Sequence, residues 1–330
     1  RRARRILPAL CFVMLACIPF GWAWMLPDQF KDFGQSIIAV VFFASNILFW
    51  HESGYFEASA EEKPLLHTWS LAVEEQYYLL FPLFLFFAFR YGKQRMFWAI
   101  CVVGFISFCF SEWAARNWPV ANFYLLPSRI WELLTGSLVA FIISNRGVRA
   151  NGFYALCGLL AILYAIFTFD NSTSFPSTFA LLPVGGSVAI ILYARMDTWI
   201  GKILSLRPMV GLGLISYSIY LWHQPLFAFT RIRLMSEPTP VVMMGLSALA
   251  IILAYITWAL IERPFRRSSD GLNTGWVVFG ISGASLTVFA VFGGWIHVQN
   301  GVEFRLSDDV KGVMAMRGGD STQCHNGLSR

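Results

Sequence analysis

The chain has 330 residues, of which 57% are hydrophobic and only 13% charged, with a formal net charge of +6. Soluble domains carry roughly 25% charged residues, so an ordinary water-facing surface is excluded. The cations sit in short clusters between apolar blocks and form no single basic face, which argues against nucleic acid as a partner.

The apolar blocks fall at about 6–26, 34–50, 70–90, 96–114, 123–143, 152–169, 177–194, 209–229, 241–261 and 275–297. Blocks of about 18 to 25 residues match the hydrocarbon core of a bilayer, and continuous apolar runs select helices over alternating strands. We therefore expect an all-α, polytopic transmembrane helix bundle.

In chain order, Arg1-Arg2-Ala3-Arg4-Arg5 precedes the first block directly. There is no initiator Met, and no small-residue cleavage pattern follows near Trp22–Trp24, so a piece of a longer protein is expected. The basic cluster reads as a topology anchor or as a phosphate holder, since guanidinium groups match phosphate oxygens with paired hydrogen bonds. The connector after block 34–50 carries Glu52, Glu57, Glu61 and Glu62 against one Lys.

The next stretch is the richest in chemistry: His67-Thr68-Trp69-Ser70-Leu71-Ala72-Val73-Glu74-Glu75-Gln76-Tyr77-Tyr78. On a helix Ser70, Glu74 and Tyr78 share a face, and Glu75 is turned about 100° away. His67 and a glutamate are candidates for an acid/base pair. The structural alternative has Ser70 capping the helix while Glu74 and Glu75 favour its positive N-terminal end. Further on, Arg129 and Glu132 stand at i, i+3 on an apolar helix, as an ion pair or an anion-binding site. His223, beside Trp222 and late in its block, is either a second proton carrier or an interfacial histidine.

Five cysteines (Cys11, Cys17, Cys101, Cys109, Cys157) lie in apolar blocks as small hydrophobes, and Cys324 lies in a polar tail. No CxxC-like spacing occurs, so no metal site is expected. Gly319-Asp320-Ser321 resembles a serine-esterase nucleophile block, but three small polar residues often meet by chance.

Sorting the connectors by charge places 90–95, Arg146 to Arg149, Arg195 to Arg207 and Glu262 to Arg267 inside. The stretches around Asn117-Trp118-Pro119, at 170–174 and at 231–240 are then outside. Arg1 to Arg5 and 90–95 should share a side, yet three blocks separate them. One block therefore does not cross, and 34–50 is expected to be re-entrant or interfacial, with 70–90 as the alternative. That leaves about nine spans, and a tail after His297 on the outer side.

Five segments in order carry a family likeness: Arg-Arg-Ala-Arg-Arg-Ile-Leu-Pro-Ala at 1–9, the 67–78 block, Arg-Ile-Trp-Glu-Leu at 129–133, Ser-Tyr-Ser-Ile-Tyr-Leu-Trp-His-Gln-Pro at 216–225, and Glu-Arg-Pro-Phe-Arg at 262–266. Over about residues 1–265 the chain resembles the acyltransferase family 3 membrane proteins, especially bacterial O-antigen and peptidoglycan O-acetyltransferases.

The resemblance implies transfer of an acyl group, acetyl above all, from cytoplasmic acyl-CoA to a hydroxyl of an extracytoplasmic glycan such as lipopolysaccharide O-antigen or peptidoglycan. Acyl-CoA (acetyl-CoA) is then a donor substrate with no bound cofactor. The partners are a cell-surface polysaccharide or lipid-linked glycan and the bilayer of the bacterial inner membrane. Arg1/Arg4 or Arg2/Arg5 would match the family's Arg-x-x-Arg element for coenzyme A phosphates, and Glu74 and Glu75 its acidic pair. The family's first helix, bearing an Arg and the His assigned as catalytic base, would precede residue 1, so the resemblance implies no activity for this piece alone. The domains implied are the acyltransferase membrane domain at 1–270, an additional helix at 271–297, and a periplasmic linker or start of an SGNH-type domain at 298–330. A transporter or flippase for a lipid-linked sugar is the alternative.

Overall fold

The structure, a computed structural model, describes residues 2–53, 60–170, 173–234, 237–267 and 275–306. Arg1, Glu57, Gly319-Asp320-Ser321, Cys324 and the boundary expected at residue 270 lie outside the described residues.

The described residues contain no strand. The helices are α1 (Arg2–Trp24), α2 (Pro27–Val41), α3 (Ser45–Glu52), α4 (Thr68–Phe89), α5 (Lys93–Asn117), α6 (Pro119–Tyr124), α7 (Leu126–Arg146) and α8 (Gly152–Thr168). They continue with α9 (Leu181–Tyr193), α10 (Trp199–Leu204), α11 (Arg207–Leu234), α12 (Pro240–Thr257), α13 (Arg263–Arg267) and α14 (Gly275–Val298). Six stretches are long and apolar enough to cross a membrane: Arg2–Trp24, Thr68–Phe89, Lys93–Asn117, Pro119–Asn145, Pro240–Phe265 and Gly280–Val298. The shorter α8 and α9 are apolar too, and the 28-residue α11 lies against α1 and α12. The chain is a multi-pass helical membrane protein.

Local chemistry starts and stops these helices. Asn151 caps α8 by accepting from the Phe153 and Tyr154 amides, and Thr239 caps α12 ahead of Pro240. Outward faces stay apolar, with Phe86, Phe87, Phe105 and Phe167 all exposed, as a lipid-facing surface requires. One core joins α1, α2, α11, α12 and α14 around Leu10, Met14, Phe30, Ile37, Leu221 and Ile296. A smaller one joins α4, α5 and α7 around Tyr77, Ile100 and Leu134.

The block expected to be re-entrant is two helices. α2 has 15 residues, about 22 Å, which is short of the ~30 Å hydrocarbon core. Its start lies by the end of α14, where Lys31 Nζ is 2.9 Å from Asn300 Oδ1, and by the 60–66 connector, where Gln29 meets Glu62. α3 leads back to the same connector, with Glu52 2.7 Å from Lys63. At the bend Phe43 takes a positive φ of 50°. Irregular backbone inside a bundle needs a partner, and Gln76 of α4 supplies it: its amide donates to the Phe43 carbonyl at 2.9 Å and to Asn46 at 2.8 Å.

α2 lies against α14 at a glycine pair. A Cβ on Gly293 would stand 2.6 Å from the Gly34 carbonyl oxygen, whereas one on Gly294 would meet nothing. Without a hydrophobic drive between helices in lipid, this close approach carries the packing. Gly293→Val is therefore expected to lower thermal stability in detergent by roughly 1–3 kcal/mol, with Gly294→Val near neutral. Equal melting temperatures for the two variants would contradict this crossing.

The residues that follow α14, up to 306, pack back on the end of α1. Val302 is fully buried, and Arg305 donates to the Gly21, Trp22 and Met25 carbonyls at the end of α1, with its guanidinium 4.5 Å from the Phe30 ring centre. The Gly21 carbonyl also accepts from the Met25 amide at 3.2 Å, and Arg305 adds a cap to this helix end from about 280 residues away.

Candidate active site

α1, α4, α11 and the end of α12 bring most of the singled-out residues together. At the basic end of α1, Arg2 lies 3.9 Å from Glu75 and 2.9 Å from the centre of the Tyr78 ring. Arg5 lies 3.6 Å from Glu262, which is wholly buried and accepts from Ser218 at 3.3 Å. The fields of both arginines reach Glu74. The i, i+3 pair that faces inward is thus Arg2/Arg5. Arg4 makes no hydrogen bond or ion pair with the described residues. The side chains of Arg2 and Arg5 remain 53% and 47% exposed, so each keeps donors for a further anion.

Glu262 reaches this cluster through a local change of helix type. Residues Trp258–Glu262 form a π-helical turn at the end of α12. Such a turn shifts the register of every side chain after it, and π-turns recur at functional sites. α11 holds the cluster to α1, because the Tyr217 hydroxyl donates to the Ile6 carbonyl at 3.0 Å.

About two turns before Glu74 and Glu75, His67 precedes the first turn of α4 and is buried. What faces it is not a carboxylate but two side chains of α11: the rings of Tyr220 and His223, with centroids 4.9 and 5.3 Å away. Neither ring nitrogen of His67 has a partner at good hydrogen-bond geometry, although the Pro64 backbone acts on it from a poorer angle. The Tyr220 hydroxyl donates to the His67 carbonyl and lies 2.9 Å from Ser70 Oγ. Ser70 therefore does not cap α4, which has no side-chain cap; a hydroxyl 150 residues away engages it instead. His223 Nδ1 lies 2.6 Å from the Tyr220 carbonyl.

Arg129 and Glu132 form the expected pair at 3.5 Å, apart from both groups. Arg129 is buried, donates to the Phe123 carbonyl at 2.6 Å, and stacks within 4.7 to 5.5 Å of the Trp69, Phe123 and Phe175 ring centres. It braces Trp69, two residues from His67. An apolar hollow of about 530 Å³, lined by Trp50, Phe110, Trp118, Val120 and Leu125, lies away from the charged cluster.

Glu262, Tyr217 and Tyr220 complete these groups without having been singled out. Glu262 had signalled only a basic connector, and the two tyrosines are inconspicuous among 31 Phe, 13 Trp and 11 Tyr.

A multi-pass helical protein with glutamates and arginines gathered between its spans belongs among membrane proteins that handle polar substrates at membrane depth. A family model described as an acyltransferase domain matches residues 1–259, and the chain belongs to that acyltransferase family. It is 29% identical over 296 residues to BcsY of Komagataeibacter xylinus, which carries the name of a membrane-bound transacylase; the match covers 89% of this chain and 74% of that protein. It is 27% identical over 286 residues to the peptidoglycan O-acetyltransferase OatA of Listeria monocytogenes, covering 81% and 46%. It is 28% identical over 287 residues to the O-acetyltransferase OatA of Staphylococcus aureus, covering 81% and 47%. The chain thus spans slightly under half the length of these two O-acetyltransferases. No solved structure matches.

Proposed function

We propose that this chain is the membrane-embedded part of an O-acyltransferase that moves an acetyl group from cytoplasmic acetyl-CoA to a hydroxyl of an extracytoplasmic glycan, peptidoglycan or O-antigen. The observation that carries the reading is the inward Arg2/Arg5 pair, half-exposed and set against Glu74 and Glu75 at the basic end of α1. Paired guanidinium donors suit the phosphates of coenzyme A. The connectors at 90–95, 146–149, 195–207 and 263–267 are basic, which supports a cytoplasmic position for that end in a bacterial inner membrane. The segment after α14 is then periplasmic.

In this scheme His67, Glu74 and Glu75 form the catalytic set, and Arg2 and Arg5, aided by Arg1 and Arg4, hold the donor. A base takes the proton of the acceptor hydroxyl as its oxygen attacks the thioester carbon. The carbon–sulfur bond breaks, and the coenzyme A thiolate leaves with the electron pair and takes up a proton. Arg129 and Glu132 serve by bracing Trp69 rather than by touching substrate.

The test uses full-length protein in proteoliposomes, with radiolabelled acetyl-CoA on the cytoplasmic face and glycan on the other. Label is expected on the glycan. If no label appears and unmodified lipid-linked sugar crosses instead, the chain is a transporter.

A further inference from the structure

We propose that Glu262 is a positioning residue for the acyl donor: it holds Arg5 by one edge of the guanidinium and so aims the other edge at a phosphate of acetyl-CoA. This rests on the acyltransferase reading above and deepens it, by naming what holds the second donor-binding arginine in place.

The argument starts from which atoms meet. Glu262 Oε1 lies 3.6 Å from Arg5 Nε, and Glu262 Oε2 accepts from the Ser218 hydroxyl at 3.3 Å. Glu262 and Ser218 are both wholly buried. The carboxylate is therefore the fixed end of the pair, and the arginine is the end that reaches out. A guanidinium is a planar fork whose donors point in set directions. With Nε turned toward Glu262, the Nη1–Nη2 edge faces away from it, on a side chain 47% exposed. That edge is the one that meets a phosphate with two parallel hydrogen bonds. Arg2 is steadied differently, by Glu75 at its Nη1 and by the Tyr78 ring.

Stability alone does not account for this carboxylate. A buried ion pair loses in desolvation much of what it gains in attraction, and an apolar replacement often folds as well or better. Here the chain also departs from regular helix at Trp258–Glu262 to deliver the group. What the pair supplies is orientation. An arginine already held has lost its rotamer freedom before the phosphate arrives, and binding then costs less. A carboxylate near a phosphate also repels it, so the two effects have opposite signs, and the direction of change separates them.

The experiment uses full-length protein in proteoliposomes, as in the labelling test above, with two labelled donors. These are acetyl-CoA and S-acetylpantetheine, which has the same thioester and no phosphate. Glu262→Met, which keeps the length and removes both oxygens, is expected to raise the half-saturating acetyl-CoA concentration about tenfold. Turnover at saturation should stay within about twofold. Glu262→Gln, which leaves one oxygen for Arg5 Nε, should recover part of this and shift it about threefold, as should Ser218→Ala. None of the three should shift half-saturation with S-acetylpantetheine. Loss of folded protein lowers turnover with both donors alike, so it does not imitate this pattern. Tighter acetyl-CoA use in the Met and Gln variants would make Glu262 a mere counter-charge and overturn the proposal. Equal shifts with both donors would make it purely structural, with the same result. Wild-type protein that half-saturates at the same concentration of either donor would refute phosphate binding by the arginine pair itself. Wild-type protein that transfers no label from acetyl-CoA would refute the acyltransferase reading.

Discussion

Arg2→Ala in the full-length protein is expected to raise the acyl-CoA concentration that half-saturates transfer by about tenfold to a hundredfold. That is the ~1.5–3 kcal/mol of a charge-assisted hydrogen bond. Arg5→Ala should act likewise. It also removes a cation beside the fully buried Glu262, so part of its effect will appear as lost thermal stability. Arg2 is the cleaner probe because its partner Glu75 is itself only partly buried. Arg4→Ala should shift the same concentration less than about fivefold, the ~1 kcal/mol of a solvent-screened charge that makes no ion pair. The reason is geometric: Arg4 is turned about 100° from Arg5 on the helix, and no glutamate among the described residues pairs with it. Arg2→Lys should restore only part of the affinity, because an ammonium cannot reproduce the planar fork. Titrating donor concentration against initial rate decides the matter. A larger shift in Arg4→Ala than in Arg2→Ala would move the coenzyme A phosphates to the other face of α1.

What could be read from the sequence followed from one strong signal. Long apolar runs separated by charge announce spanning helices whatever packs against them, so the helical bundle was expected. The bend at Phe43 was not, because its carbonyl is satisfied by Gln76, 33 residues on, and no local pattern encodes such a pair. The capping role considered for Ser70 fails for the same reason: spacing within α4 says nothing about a tyrosine on α11. Glu262 sits in a run whose arginines signal a cytoplasmic connector, and only the π-turn before it directs the carboxylate inward. The polar composition after His297 gives no sign that Arg305 is drawn in by carbonyls at the end of α1. The separation of His67 from Glu74 and its pairing with His223 likewise depend on how two distant helices meet. Local pattern named the residues, and long-range pairing decided their partners.

Glu75→Gln and Glu74→Gln are each expected to reduce acetyl transfer by about 100-fold or more, as for a group that moves or stabilises a proton in the transition state. Melting temperature should fall only a few degrees, because an ion pair at 3.9 Å with a half-exposed arginine contributes about 0–1 kcal/mol. A competing account assigns these carboxylates nothing but the neutralisation of Arg2 and Arg5. The two accounts diverge in the double variant. If Glu75 serves only to balance Arg2, then Arg2→Ala should relieve Glu75→Gln, and the pair together should work better than the glutamine variant alone. If Glu75 acts on the substrate, removing Arg2 as well cannot restore transfer, and the losses should combine or deepen. A double-mutant cycle on transfer rate at saturating donor measures this coupling directly. Saturation matters, because it removes the weaker donor binding expected of Arg2→Ala and leaves the chemical step exposed. Recovery in the double variant would reduce the acidic pair to a structural counter-charge and leave the chemistry to groups other than these two carboxylates.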